Sequence, residues 1–379
     1  MKEKEYLAFA LTFVGFETIA QQEIHELLSK KATIEKGIVQ FSATDKEIAE
    51  LCYRTQALRI VCRQLALFSF SHSLDDFKKQ AKEHLKFSDL SLFSEKTFRV
   101  NCDRAGQHDF TSNDVAAALG ELFLDMQPKT SVRLVNPELF VYCLIEDSQC
   151  FIGINFAGFD LSKREYKIYN QANTLNAAFA YCVVRYAGYT GKEVLLDPLS
   201  GVGLLPIEAS LFATKTSPRL YQKDQFAFQR FFKIDLSSFD KEPDAKKAKQ
   251  LSLTGYDVHL RNMEAAKKHA KLCNVSKYVT FARGDIEWID TKVDEKSVDI
   301  IVCQAPVEGR AVSEKELEKF YKEFFYQLEF VLKDSGKMIL VCLKTALLKK
   351  VLQYFTIVDE HLVYQGEQEF VLVTLKKKK

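Results

Sequence analysis

Apolar and polar positions follow two rhythms along the chain. Up to about residue 165, short apolar runs and amphipathic stretches follow one another in no fixed order. EYLAFALT (5–12) and LRIVCRQLALFSF (58–70) predict strands, TIEKGIVQFSA (33–43) a hairpin arm, and GFETIAQQEIHELLSKK (15–31) and TDKEIAELCYRTQ (44–56) helices, the second opened by a Thr/Asp cap. A second set follows a soft break near Ser71–Ser73. It holds the helix LDDFKKQAKEHL, the strand TFRVNCDRAG, the helix SNDVAAALGELFLDM and two strands in LFVYCLIEDSQCFIGINFAG. Two small α+β units are expected, over 1–70 and 71–165, with a third unit over 166–379.

From about Leu175 the pattern becomes strand, helix, strand. EVLLDP, LTGYDV, YVTFARGD, VDIIVCQAP and KMILVCLK are apolar runs whose ends carry Asp, Pro or Gly, with helical patterns such as HLRNMEAAKKHAKLC and KELEKFYKEFFYQLEFVLK between them. Such alternation predicts an α/β fold with a doubly wound, mostly parallel sheet. FTIVDEHLVYQ and EQEFVLVTLKKK close the chain as two strands around a glycine turn, making seven in all. An aromatic, lysine-rich stretch, about 214–251, interrupts the first crossover as an insertion.

The chemistry gathers at strand ends. After EVLL comes Asp197-Pro198-Leu199-Ser200-Gly201-Val202-Gly203, opening a helix. Gly201 and Gly203 permit a sharp turn and close backbone approach. A third glycine at 206 would complete a dinucleotide fingerprint, but Pro206 stands there, suited to a first helical turn. The charge of Asp197 is ill-suited to a pyrophosphate and fits the cationic aminoacyl end of S-adenosylmethionine. Asp257 ends the next strand, placed for a ribose diol, and Asp285 with Ile286 follows the third, placed for an adenine amino group and ring face. A terminal antiparallel hairpin on a parallel sheet also characterises methyltransferases that use this cofactor.

Composition excludes little. With 379 residues, 47% hydrophobic, 27% charged and a net charge of +2, the chain describes an ordinary globular protein, expected in the cytoplasm. No apolar run approaches the roughly 20 residues of a membrane span, and no leader pattern is read at the start. Nine scattered cysteines with no CxxC argue for reduced, buried thiols. Arg99, Arg104, His108, Arg133, Lys163 and Arg164 offer donors for RNA phosphates, and Phe110 and Tyr166 rings that stack. His108 has no Cys or His at metal spacing, so no metal is expected.

Residues 173–209 resemble the start of the methyltransferase domain of THUMP-containing RNA guanine-N2 methyltransferases, and 98–121 with 135–166 resemble the THUMP domain of the archaeal tRNA members. The resemblance extends over the whole chain. It implies an N-terminal ferredoxin-like unit (1–70), a THUMP RNA-binding domain (71–165) and a Rossmann-like class I methyltransferase domain (166–379). It implies docking of a tRNA acceptor end, with Thr111 joining Arg104 and His108 among the contacts, and methylation of a guanine exocyclic nitrogen from S-adenosylmethionine. No DNA or membrane partner is expected.

The catalytic loop departs from that pattern. Enzymes of this type resemble one another in an Asn/Asp-Pro-Pro-aromatic or Asp-x-Pro-aromatic loop after the fourth strand; this chain has Gln304-Ala305-Pro306-Val307, with Glu308 as an extra residue before Gly309-Arg310. The longer Gln304 moves its acceptor by on the order of 1 Å, a displacement that can cost about 100-fold in rate. Val307 forfeits roughly 1–3 kcal/mol of base stacking. Cys303 beside the loop reads as core. Two readings stay open: an active tRNA (less readily rRNA) methyltransferase, or a non-catalytic RNA-binding relative, with or without an activating protein subunit.

Overall fold

Two sheets account for all fifteen strands of the computed structural model, which describes residues 3–86, 92–170, 174–241, 251–306 and 313–378. The first is built from β1 (Tyr6–Leu11), β2 (Ala32–Glu35), β3 (Ile38–Ala43), β4 (Ile60–Ser69), β5 (Thr97–Ala105), β6 (Ser131–Val132), β7 (Leu139–Glu146) and β8 (Gln149–Asn155), in the order β2-β3-β1-β4-β8-β7-β5-β6. Helices α1 (Glu17–Leu28), α2 (Asp45–Arg54), α3 (Leu74–His84) and α4 (Ser112–Met126) belong to it. Thr44 caps α2 reciprocally with Glu47, as the Thr/Asp start predicts. The soft break near Ser71–Ser73 marks no break in the sheet. β4 pairs antiparallel with β8 from Cys62↔Asn155 to Ser69↔Gln149, so the two expected units share one sheet of eight strands.

The second sheet follows α5 (Ala177–Tyr186). It comprises β9 (Leu195–Asp197), β10 (Leu253–Asp257), β11 (Thr280–Arg283), β12 (Val298–Gln304), β13 (Leu332–Cys342), β14 (Phe355–Gln365) and β15 (Gln368–Lys377), connected through α6 (Leu204–Thr214), α7 (Leu260–Leu272), α8 (Glu314–Val331) and α9 (Ala346–Val351). The order is β11-β10-β9-β12-β13-β15-β14; β9 to β13 run parallel, and β15 is antiparallel to both β13 and β14. Successive strand residues point to opposite faces, so Leu195, Ile300 and Val302 join one core while Leu196, Ile301 and Cys303 join another with Phe324, Phe325 and Leu328 of α8.

The first of those cores continues into the helical side of the eight-stranded sheet, where Val39, Ile48, Phe77 and Phe123 lie. The insertion reinforces this junction. The Phe228 N–H donates to the Phe156 carbonyl at 3.0 Å, the Ala227 N–H to the Ala157 carbonyl at 2.9 Å, and the Tyr53 hydroxyl bonds Asp240. The insertion therefore fastens the two sheets together through β8 and α2.

Candidate active site

Parallel strands end side by side, and their C-terminal ends bring Asp197, Asp257 and Gln304 to one edge of the sheet. A cavity of about 310 Å³ opens there, lined by Asp197, Ser200, Gly201, Asp257, Gln304 and Pro306 among the expected residues. Thr174, Leu175, Leu199, Val202, Leu204, Leu205 and Ala305 complete the wall. That volume lies at the lower end of ligand pockets, which run to roughly 300–1,000 Å³.

The loop between β9 and α6 is held from within. The Ser200 N–H donates to the Tyr256 carbonyl at 2.7 Å, and the Gly201 N–H to Asp257 Oδ2 at 3.1 Å. Asp257 Oδ1 accepts from the His259 N–H at 2.8 Å and from Asn262 at 2.9 Å. Gly203 takes φ +86 as the N-cap of α6, and a Cβ there would meet Ala266 Cβ and Phe281 Cζ at 2.7 Å. Gly203 thus sets the close packing of α6 on α7 and β11 and stands outside the cavity lining. Gly255 carries no signal in the sequence reading, yet a Cβ there would meet Ser200 Oγ at 2.5 Å, so its absence makes room for that hydroxyl.

Charge and polarity at the site suit a cationic ligand group. Asp197 is 1% exposed, and burial drives its carboxyl well above the ordinary range; the Leu199 N–H and the Ser200 hydroxyl oppose that, and the charge of Asp257 adds to it. The Ser200 hydroxyl is near enough to favour the ionised carboxylate, yet its oxygen is buried without a hydrogen bond of adequate geometry. A buried acid and an unserved hydroxyl on one wall are what a ligand bearing a cation and acceptors would satisfy.

The facing wall is formed by Gln304, Ala305 and Pro306 at the end of β12. The Ala305 N–H donates to the Val341 carbonyl at 3.0 Å, and the Tyr321 hydroxyl to the Pro306 carbonyl at 2.7 Å. Tyr321 comes from α8 in an apolar pattern that reads only as core. Its hydroxyl holds the loop against the sheet. Val307, Glu308, Gly309 and Arg310 lie outside the described residues. Cys303 is in the core, its thiol pushed up by burial and by the charges of Asp197 and Cys342. Pro198 is buried outside the lining; Asp285 is exposed and accepts from the Glu287 N–H at 3.3 Å, and Ile286 packs in the core with Tyr256.

A sequence model of the RMKL-like methyltransferase domain matches residues 164–369, more than half of the chain. The chain belongs to that family. A THUMP domain model matches 71–155. The chain is 25% identical over 346 residues to a tRNA (guanine(6)-N2)-methyltransferase of Methanocaldococcus jannaschii, covering 88% of this chain and 90% of that one. It is 24% identical over 342 residues to the ribosomal RNA large subunit methyltransferase K/L of Vibrio campbellii, covering 86% of this chain and 47% of that protein. Among solved structures, a putative methyltransferase complexed with SAH superposes with a TM-score of 0.81 at 16% identity over the full length of both chains. TrmN from Thermus thermophilus superposes with a TM-score of 0.73 at 21% identity, covering 99% of this chain and 100% of that one. These two likenesses show the fold.

The expected RNA contacts divide. Arg99, Arg133 and Lys163 are exposed. Arg104 donates to His108 Nδ1 at 2.9 Å and His108 Nε2 to the Asp147 carbonyl at 2.8 Å, leaving the buried Arg104 Nε without a partner. Phe110 is buried against Phe70 and His108 and cannot receive a base on its face. Thr111 is spent on capping α4, its side chain accepting from the Asp114 N–H at 3.3 Å. Arg164 and Tyr166 are corrections. The side chain of Arg164 has 0% exposure and pairs with Glu208 of α6 at 2.9 Å, and the Tyr166 hydroxyl donates to the same carboxylate at 2.7 Å. A guanidinium that deep answers a buried acid and does not reach RNA.

Another joint was missed. The Tyr169 backbone N–H can only donate, so His269 Nε2 accepts from it at 3.1 Å and the Nδ1–H donates to the Val202 carbonyl at 3.1 Å. A lone histidine in an amphipathic helix gave no local sign of this. Among the described residues, no helix is long and apolar enough to cross a membrane, and no cluster of three or more His, Cys, Asp or Glu could hold a metal.

Proposed function

We propose that this chain transfers a methyl group from S-adenosylmethionine to the exocyclic N2 of a guanine in tRNA. The observation that carries this reading is the convergence of Asp197, Ser200, Gly201 and Asp257 with Gln304 and Pro306 around one cavity. The likeness to relatives named for guanine-N2 methylation of tRNA supports it over nearly the whole chain. The cofactor supplies an electrophilic methyl group on a sulfonium sulfur. Asp197 would hold its aminoacyl ammonium, Asp257 its ribose diol, and Asp285 with Ile286 its adenine end, with Pro198 and Gly203 shaping the loop.

On the opposite wall, the Gln304 amide oxygen and the Pro306 carbonyl accept the two hydrogens of the guanine amine and aim its lone pair. Tyr321 occupies one lone pair of that carbonyl and leaves the other for the amine. The nitrogen gains the methyl group and sheds one proton to water, so no strong base is required. At position 307 the sequence supplies an aliphatic valine where the family pattern has a ring. The reading includes docking of the tRNA acceptor end on the ferredoxin-like and THUMP units (1–70 and 71–165), a cytoplasmic setting, and room for an activating protein subunit.

Incubation with labelled S-adenosylmethionine and total tRNA from cells lacking the gene tests the proposal. Label in RNA is the expected result; label absent from RNA while a known active relative labels the same pool would leave an RNA-binding protein without catalysis.

A further inference from the structure

Residues 163–170 leave the THUMP unit and cross α7 before the chain reaches the cavity wall at Thr174 and Leu175. Three features mark this stretch. The Lys167 ammonium is half-buried and donates to the Leu175 carbonyl at 3.1 Å, and no carboxylate pairs with it among the described residues. Gln171, Ala172 and Asn173, which follow, bring no acid either. Burial holds the pKa of Lys167 below the ordinary lysine value. Second, Tyr169 is tied through His269 to the Val202 carbonyl, and Val202 lines the cavity. Third, Tyr169 is 40% exposed, and Lys268 Nζ stands 5.1 Å from the ring centroid and 3.0 Å from the hydroxyl.

An ammonium has three hydrogens to place, and Lys167 gives one to a protein acceptor. A half-buried cation without a counter-charge costs stability unless an anion meets it. An exposed ring with a lysine against it, and a second lysine two residues before it in the chain, match the way proteins hold single-stranded RNA, stacking a base while cations take the backbone. We propose that Lys167, Tyr169 and Lys268 form a seat for the RNA strand at the cavity mouth, the lysines taking phosphodiester oxygens and the Tyr169 ring stacking on a nucleotide next to the methylated one. The seat rests on the RNA methyltransferase reading and adds a contact on the catalytic domain itself.

The test uses the full chain, total tRNA from cells lacking the gene as the probe at several salt concentrations, and calorimetric titration with S-adenosylhomocysteine alone. Replacing both lysines, Lys167→Met with Lys268→Met, should lower the slope of log affinity against log salt by about 1.4, at about 0.7 per single-strand phosphate. Tyr169→Ala should weaken RNA binding by on the order of tenfold without changing the slope. Lys167→Arg should restore the wild-type slope when Lys268 is intact. S-adenosylhomocysteine affinity should stay at the wild-type value throughout, which also shows an intact fold. Unchanged RNA affinity and slope in the variants would overturn the seat. So would a loss of S-adenosylhomocysteine affinity in Lys167→Met with RNA binding intact, which would give Lys167 to the cofactor carboxylate. A wild-type chain that binds no tRNA would overturn the methyltransferase reading and the seat together.

Discussion

A carboxyl 1% exposed, with a second acid for a neighbour, holds its proton more tightly than it would in water, and Asp197 is in that position. Because its folded pKa stands above the unfolded value of 3.8, its contribution to stability is fully present below that value and is lost as pH rises through the folded pKa. Asp197→Asn removes the ionisation while keeping the shape. The free protein should therefore melt higher at neutral pH and show a flatter stability profile, while S-adenosylmethionine affinity falls; a lower melting temperature with undiminished affinity would contradict the assignment. For the wild type, cofactor affinity should rise with pH through the Asp197 titration, since the aminoacyl ammonium favours the ionised carboxylate. Tyr321 acts differently, through the Pro306 carbonyl. Misplacing a reacting group by about 1 Å can cost on the order of 100-fold, so Tyr321→Phe should lower kcat by about 10- to 100-fold and leave KM for tRNA and cofactor affinity alone. A rise in KM with kcat intact would make Tyr321 a binding residue instead.

The elements show why Gly203 has no substitute. A Cβ there adds the cost of φ +86, about 1–2 kcal/mol, to overpacking against Ala266 and Phe281 of about 1–3 kcal/mol. Gly203→Ala should therefore lose roughly 2–5 kcal/mol in denaturant unfolding, and a loss under about 0.5 kcal/mol, the scatter of neutral surface changes, would refute the packing role. Helix and strand placement was legible because periodicity and caps are local: α4 begins and ends where SNDVAAALGELFLDM does, and α2 starts at its Thr44 cap. The acids ending β9 and β10 were legible for the same reason, since an acid closing a short apolar run is a local signal. The pairing of β4 with β8 was not, because register between strands some 80 residues apart leaves no trace in either strand. Gly255, Tyr321 and His269 sit in unremarkable strand and helix patterns, and their roles come from partners distant in sequence. Arg164 and Tyr166 misled for a related reason: a basic and an aromatic residue beside an exposed Lys163 read as surface until Glu208 supplies the buried partner.

At the scale of the molecule, a single core runs from the eight-stranded sheet into the methyltransferase sheet, and Glu208 of α6 is tied to Arg164, Tyr166 and Gln56 across the junction. Breaking such a pair from one side leaves a buried charge and costs about 3–5 kcal/mol. Arg164→Met should therefore destabilise by about that amount, and adding Glu208→Gln should recover part of it; full additivity of the two losses would deny the coupling. The shared core also predicts one cooperative unfolding transition for the whole chain. Separate melting of residues 1–165 and 166–379 would contradict it. The shared core places the eight-stranded sheet and the loop over 197–203 in one body; under the proposed function, tRNA held by the first would present its base to a cavity of fixed position. Nucleoside mass spectrometry of tRNA from cells lacking the gene, after incubation with the purified chain and S-adenosylmethionine, tests that claim most directly. N2-methylguanosine, abolished by Asp197→Ala combined with Asp257→Ala, is the predicted result. No methylated guanosine, from a chain that binds both tRNA and cofactor, would contradict catalysis at this site.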